Sequence, residues 1–283
     1  MIVRGIVYMN ELHTFVVCAY KESPYLEDCI RSLEEQTVKS NIILATSTPS
    51  DYIKHLCKKY SIPCYVREGQ PNISKDWEFA LSVADTEYVT IAHQDDIYEA
   101  DYTDNILRAI DRQQQYIQET VILFTGYSEL IGNQKYADRT NLKIKRILLM
   151  PLCKESKQGK RWRKRWVLRF GNAICCPAVT YHIPVIRQYM KQDGRQQLFQ
   201  KHFRSNVDWE TWEWLSRKEG RFVYLPNSLM AHRIHEESET TATIQDRQRG
   251  KEDYEMFCKF WPRWIAKLLT GAYSESEKGN VPN

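Results

Sequence analysis

Tyr88-Val-Thr-Ile-Ala-His-Gln-Asp-Asp-Ile-Tyr98 decides the fold and points at the chemistry. Val89-Thr90-Ile91-Ala92 is a short, β-branched apolar run of the kind that forms a buried strand. It stops abruptly at His93-Gln94-Asp95-Asp96. Two adjacent carboxylates at the exit of a buried strand are costly to hold together unless a cation or solvent lies between them. In open α/β sheets, ligands gather outside the carboxyl ends of the strands. Asp95 and Asp96 are therefore placed to hold a divalent metal and, through it, a phosphate. The competing reading makes them caps of the following turn and helix, a common role for Asp. One Asp would suffice for that.

Outward from this strand, the preceding residues alternate strand and helix. Thr14–Tyr20 is a β-rich run, and Ser23-Pro24 signals a helix start with Ser as N-cap. Leu26, Cys29, Ile30 and Leu33 follow as one apolar stripe. Asn41–Thr46 predicts a second strand, Ile53, Leu56, Cys57 and Tyr60 a second helix, and Cys64–Arg67 a third, short strand. Ser74 is expected to cap a helix carrying Trp77, Ala80, Leu81 and Ala84. Alternation of this kind implies a mostly parallel sheet with helices on both faces. Downstream come a helix over 101–116, a strand over 120–125 and an extended segment from Gly171 to Tyr181. Val207–Leu215 reads as a helix with Gly220 at its C-cap, followed by strands over 222–225 and 228–234. The tail from 251 is helical and aromatic, broken at Pro262 and frayed from Ser274.

The 283 residues are 42% hydrophobic and 27% charged, as in ordinary soluble globular chains. A net charge of +4 selects no partner by itself. The eight cysteines show no CxxC pair, which argues against a zinc ribbon and for a reduced, cytoplasmic setting. Met1-Ile-Val-Arg-Gly5 has no signal-peptide architecture, and no apolar run approaches the ~20 residues that cross a bilayer. The chain is expected to be soluble or to lie on a membrane.

The order strand, Tyr20-Lys21-Glu22, helix, strand, Thr46-Ser-Thr-Pro-Ser-Asp51, helix, Gln-Asp-Asp resembles the family 2 glycosyltransferases of bacterial surface-polysaccharide assembly. The resemblance implies the GT-A fold, a Rossmann-like α/β sheet, over residues 1–240, with a helical, aromatic extension over 241–283. Residues 14–116 would be the nucleotide-sugar-binding half and 117–240 the acceptor-binding half. It further implies an inverting transfer from a nucleotide diphosphate sugar to an acceptor hydroxyl, with Mg²⁺ or Mn²⁺ and a carboxylate base. Capsular, exo- or lipopolysaccharide synthesis on a glycan or lipid-linked glycan is the setting it suggests.

Carried over residue by residue, Asp95 matches the last Asp of the family's Asp-x-Asp metal motif. His93 stands where the first Asp is usual. A neutral imidazole can hydrogen-bond a ribose hydroxyl or ligate Mn²⁺, but it brings no negative charge. Asp96 is expected to orient neighbouring groups or the sugar. Arg233-Ile-His235 matches the C-terminal Arg-x-His stretch, with His235 as metal ligand and Arg233 on phosphate. The bland alternative is a charged loop in which His232 or His235 pairs with Glu236 or Glu237. Asp208 matches the base, although its usual Glu neighbour is Val207; Glu210 is the runner-up, and helix capping the competing role. Tyr20 and Glu22 would meet the nucleotide. Thr46 and Ser47 stand where the family often has Asp-Asp, which weakens the expectation of uracil. Lys75 and Asp76 would touch base or phosphate, or else be first-turn surface charges.

Lys154–Arg169 holds eight Lys or Arg against one acid, with Trp162 and Trp166 interleaved. With the aromatic tail, this suggests contact with anionic lipid at the inner membrane face, against the alternative of a solvated loop. Trp209, Trp212 and Trp214 suit sugar stacking, but Trp at helical spacing is more often core. A sugar nucleotidyltransferase would need a glycine-rich loop, and Cys18-Ala-Tyr-Lys-Glu22 has no Gly. A catalytically impaired relative is the other alternative, given His93 and Val207. A nucleic-acid partner, which residues 160–169 alone would suit, leaves Asp95, Asp96 and Asp208 unexplained.

Overall fold

Nine strands among the described residues form one sheet in the order β3-β2-β1-β4-β8-β6-β9-β5, with β7 paired to β6. The computed structural model describes residues 11–235 and 247–278. The strands are β1 (His13–Ala19), β2 (Asn41–Thr46), β3 (Cys64–Val66), β4 (Tyr88–His93), β5 (Ile97–Tyr98), β6 (Thr120–Ile131), β7 (Gln134–Tyr136), β8 (Val179–His182) and β9 (Arg221–Ile234). Helices α1 (Leu26–Glu34), α2 (Asp51–Lys59), α3 (Ile73–Ser82) and α4 (Tyr102–Gln113) accompany the first strands. Then come α5 (Thr140–Leu149), α6 (Arg161–Trp166), α7 (Ile183–Asp193), α8 (Val207–Ser216), α9 (Arg247–Cys258) and α10 (Arg263–Lys278).

β1 to β4 are parallel, as the strand–helix alternation requires. Beyond β4 the sheet is mixed. β8 runs antiparallel to both β4 and β6, while β9 is parallel to β6. Alternate residues of β1 feed the two faces. Phe15, Val17 and Ala19 join the core with the stripes of α1, α2 and α4, and Val16 joins α3 and α8 on the other side. Helices thus cover both faces.

Several boundaries differ from the sequence reading. Ser23-Pro24 lies in the turn before α1, whose N-cap is Tyr25. Asn72, not Ser74, caps α3 through its side chain; the Ser74 hydroxyl reaches the Gln200 carbonyl. Gly171–Tyr181 is extended only in β8, a 3-10 turn over Cys176–Ala178 preceding it. Gly220 sits past the Arg217 C-cap, in a turn with φ +87°. The tail stays helical to Lys278 rather than fraying at Ser274. Met256, Phe257 and Ala266 of α9 and α10 are fully buried in the main core, so the C-terminal helices are integral to it. The expected boundary at 240/241 lies outside the described residues, as do Glu236 and Glu237. No described helix is long and apolar enough to cross a membrane.

Candidate active site

The first strands end level with one another. Cys18 pairs with His93, Ala19 with Thr46 and Thr46 with Val66. β1 lies between β2 and β4, where chain connections depart in opposite directions and leave a crevice above the strand ends. Tyr20, Ser47, Arg67 and Gln94 are the first residues past those ends.

Gln94 bridges this rim. Its Oε1 accepts the Tyr20 N–H at 2.9 Å, and its amide donates to the Tyr20 carbonyl at 3.0 Å. One side chain thus extends the sheet by a rung and ties the Asp95 loop to the Tyr20 loop. Lys21 has φ +55°, a left-handed conformation costing about 1–2 kcal/mol for a residue with a Cβ. Its N–H donates to Thr48 Oγ1 at 2.6 Å, which holds it there. Tyr20, Glu22 and Lys75 are exposed at the rim, and Ser47 is half-buried. Thr46 is buried, and its hydroxyl accepts the Thr48 N–H at 3.0 Å, shaping the turn. Asp76 accepts Arg67 Nε at 2.7 Å and the Asn72 N–H at 3.0 Å. The Arg67–Asp76 pair therefore braces the wall of the crevice.

β5 pairs with β9 in antiparallel register, Ile97 opposite Ala231, which brings Asp95 and Asp96 against His232–His235. Asp95 Oδ1 accepts the Ser23 hydroxyl at 2.7 Å, and Oδ2 lies 3.2 Å from His235 Nε2. That spacing is close to the roughly 3 Å between adjacent ligands of an octahedral ion. Among the described residues, no group of three or more His, Cys, Asp or Glu could hold a metal. The Asp95–His235 set therefore fits an ion completed by substrate phosphates and water, the usual arrangement for Mg²⁺. The imidazole tilts the preference toward a transition ion such as Mn²⁺.

Asp96 is fully buried and serves the frame. Its Oδ1 accepts His232 Nδ1 and the Arg233 N–H, both at 2.9 Å. Burial alone would raise this carboxyl, but the His232 charge and hydrogen bond outweigh it and hold it below the ordinary range. His232 moves the opposite way: burial would lower it, and Asp96 carries it above its usual value. The two shifts agree on an ion pair. Asp96 Oδ2 is buried without a hydrogen-bond partner among the described residues. His93 stacks on Trp77, centroids 5.3 Å apart, and burial keeps its imidazole neutral by lowering its pKa. Its Nε2 also lacks a partner among the described residues. That unspent nitrogen suits a hydroxyl better than a charge.

Arg233 is buried, and much of its guanidinium is already engaged. Nε donates to the Asp95 carbonyl at 2.9 Å, Nη2 lies 3.7 Å from Asp28, and the plane stacks on Tyr25 at 4.2 Å. This arrangement fixes the Asp95 loop and departs from the free fork that a phosphate contact needs.

Asp208 is the second residue of α8. Its Oδ2 accepts the Asn172 amide at 2.6 Å and its Oδ1 the Trp209 N–H at 2.7 Å. Burial raises its pKa, and these two donors hold back part of the rise. Glu210, by contrast, is spent on Arg195 at 2.7 and 3.2 Å and Lys259 at 3.5 Å. A base must keep a lone pair open, so the geometry favours Asp208. Burial raises the Cys175 thiol, and the charges of Asp96 and Asp208 add to the rise, so the two carboxylates lie within electrostatic reach of one side chain. Trp209, Trp212 and Trp214 are core, not sugar platforms.

Glu252 and Lys145 escaped the sequence reading. Glu252 on α9 accepts the N–H groups of Arg204, Ser205 and Asn206, just ahead of α8, at 2.8–3.1 Å. A carboxylate there also favours the positive end of the helix dipole. Glu252→Ala is expected to cost about 2–4 kcal/mol in urea denaturation, since several charge-assisted bonds go at once; a loss below about 1 kcal/mol would contradict this role. Lys145 donates to the Tyr127 hydroxyl at 2.8 Å, and its charge reaches Asp208 and His232. A helix stripe marks such a lysine as amphipathic, but only the fold shows that it faces inward.

Comparison with known proteins identifies the family and the fold. The family model for glycosyl transferase family 2 matches residues 14–170. Glycosyltransferase GlyG of Streptococcus pneumoniae is 26% identical over 133 residues, 44% of this chain and 43% of that relative. The match thus spans less than half the length of that curated relative. S. aureus TarS 1-349 in complex with UDP-GlcNAc superposes with a TM-score of 0.61 at 12% identity, over 92% of this chain and 70% of that one. Mannosyltransferase PcManGT from Pyrobaculum calidifontis, in complex with GDP-Man and Mn²⁺, gives 0.57 at 14% identity, over 96% and 76%. At such identities the structural likeness establishes the fold, which is the GT-A arrangement.

Proposed function

The chain belongs to glycosyl transferase family 2, and from that premise we propose that it is an inverting, metal-dependent transferase. It moves a sugar from a nucleotide diphosphate sugar to an acceptor hydroxyl. The observation that carries this reading is the meeting of Asp95 and His235 above the strand ends, 3.2 Å apart. The nucleotide complexes of the fold neighbours, one with UDP-GlcNAc and one with GDP-Man and Mn²⁺, support a nucleotide-sugar donor.

Tyr20, Glu22, Ser47, Lys75 and His93 border the nucleoside, with Thr46 and Asp76 behind them as wall. Asp95 and His235 hold the divalent ion, which when bound offsets charge on the departing diphosphate. Asp96 and Arg233 keep that corner in place. The acceptor oxygen attacks the anomeric carbon opposite the diphosphate while Asp208 takes the hydroxyl proton. The carbon–oxygen bond to the diphosphate breaks as the new bond forms, so the configuration inverts. We assign the acceptor to the glycans or lipid-linked glycans of bacterial surface polysaccharide, with the enzyme at the inner membrane face.

Asp208 works as a base only when ionised. Because burial raises its pKa, turnover is lost as pH falls through a value above the ordinary ~3.9 of Asp. A kcat–pH profile should place its acidic limb higher than that; a limb at or below ~3.9 would contradict the assignment. Nucleotide release from a panel of UDP-, GDP- and dTDP-sugars, with Mn²⁺ and with chelator, tests the reaction itself. His93 and Val207 favour one other reading, a donor-binding relative without turnover. Donor-dependent thermal stabilisation with no release from any sugar would establish it.

A further inference from the structure

We infer that α5, α6 and α10 together form a face that docks on an anionic bilayer. The docking stands apart from the transfer reaction; only its purpose, access to a lipid-linked acceptor, rests on the proposed function. Of the twelve large apolar side chains exposed among the described residues, seven lie in this one region. They are Ile144, Ile147 and Met150 on and just beyond α5, Trp162 and Trp166 on α6, and Trp264 and Leu268 on α10, between 40% and 69% exposed. Their spacings of three and four residues put each set on a single helix face. α5 is thus amphipathic with an apolar side turned outward, while Leu142 and Leu149 face the core.

The three helices adjoin. Arg163 Nη1 donates to the Pro151 carbonyl at 3.1 Å, tying α6 to the end of α5. The Arg169 guanidinium lies over the Trp166 ring at 4.7 Å and the Trp261 ring at 3.7 Å. Trp261 Nε1 donates to the Arg169 carbonyl at 2.8 Å, just before α10 begins. Lys143, Arg161, Arg263 and Lys267 are exposed among these apolar groups. Residues 140–150, 160–170 and 261–272 contain no Asp or Glu.

The expected basic patch is therefore only partly free. Lys164 is buried, its ammonium donating to the carbonyls of Lys218 and Gly220 at 2.6 and 2.9 Å, and Arg165 pairs with Glu213 at 2.5 Å. What remains exposed mixes cations with Trp, Ile, Met and Leu. A second copy of the chain would set cation against cation. A nucleic acid has no use for Ile144, Ile147 and Leu268. Anionic headgroups over acyl chains satisfy both sets at once. The inner side of the same α5 carries Lys145, whose charge reaches Asp208.

Flotation with vesicles of equal parts phosphatidylcholine and phosphatidylglycerol, at low salt, tests this on the full chain. The protein should float with these vesicles and remain below with phosphatidylcholine alone. Ile147→Ser with Trp264→Ser, and separately Lys143→Glu with Lys267→Glu, should each lower the bound fraction roughly tenfold. Nucleotide release from soluble donor should be unchanged in both, because all four residues lie outside the crevice. Wild-type protein left at the bottom, or variants that float equally well, would overturn the inference. So would a dimer that the Ile147→Ser/Trp264→Ser variant dissociates without any flotation, or retention on RNA alone. Flotation with no nucleotide release would instead strike only the proposed function.

Discussion

Asp95→Ala is expected to cut Mn²⁺-stimulated nucleotide release by roughly a thousandfold, the scale on which removing one strong electrostatic contact to a transition state is felt. The carboxylate faces His235, 3.2 Å away, and Ser23 orients it through its other oxygen. No cluster of three metal-binding side chains stands by among the described residues to take over. The neighbouring Asp96 is committed to His232 and the Arg233 N–H. The variant should fold, because Asp95 is not fully buried and its backbone carbonyl still accepts from Arg233. Two readouts separate causes. Stabilisation of the protein by Mn²⁺ plus nucleoside diphosphate should vanish in a thermal-shift assay, while its melting temperature without ligands should barely move. Turnover within a few-fold of wild type would remove Asp95 from the site.

Asp208→Asn should lower kcat by about a hundred- to ten-thousandfold while leaving the donor KM nearly unchanged. The amide keeps the shape of the side chain and can still meet Asn172 after a flip, so the helix start survives. What disappears is the capacity to accept the acceptor proton. Glu210→Gln is the informative contrast. It loosens the buried contacts to Arg195 and Lys259, so it should lower stability more than turnover per folded molecule. If Asp208→Asn instead abolishes donor binding, or Glu210→Gln proves the slower enzyme, the two roles are exchanged.

How far these residues could be seen in the sequence depended on the range of their contacts. β2 falls where Asn41–Thr46 predicted it, and α8 begins at Val207 as the pattern required, because apolar periodicity is a local property. β9 read as two strands but is one strand of 14 residues. Its Pro226 is accommodated at a bulge, where the register with β6 shifts between Thr125 and Gly126. A Cβ on Gly126 would sit 2.6 Å from the Pro226 carbonyl, so that glycine is what lets the strand continue. Ser23 looked like a helix cap because Ser-Pro usually is one; Asp95, 72 residues away, takes its hydroxyl instead. Gln94, Glu252 and Lys145 likewise act across the fold, on Tyr20, on the approach to α8 and on Tyr127. Their neighbours in sequence say nothing of those partners. Lys164 seemed one more cation in a solvated run, and only the fold supplies the two carbonyls that bury it.

The proposed reaction requires Asp95 and His235 to grip a single cation together with the donor's diphosphate. Anomalous difference density from a crystal soaked with Mn²⁺ and UDP or GDP tests it most directly. One peak is expected, bonded to the Asp95 carboxylate and the His235 imidazole and capped by phosphate oxygens. A diphosphate bound in the crevice with no metal beside Asp95, or a metal bonded to neither residue, would contradict it.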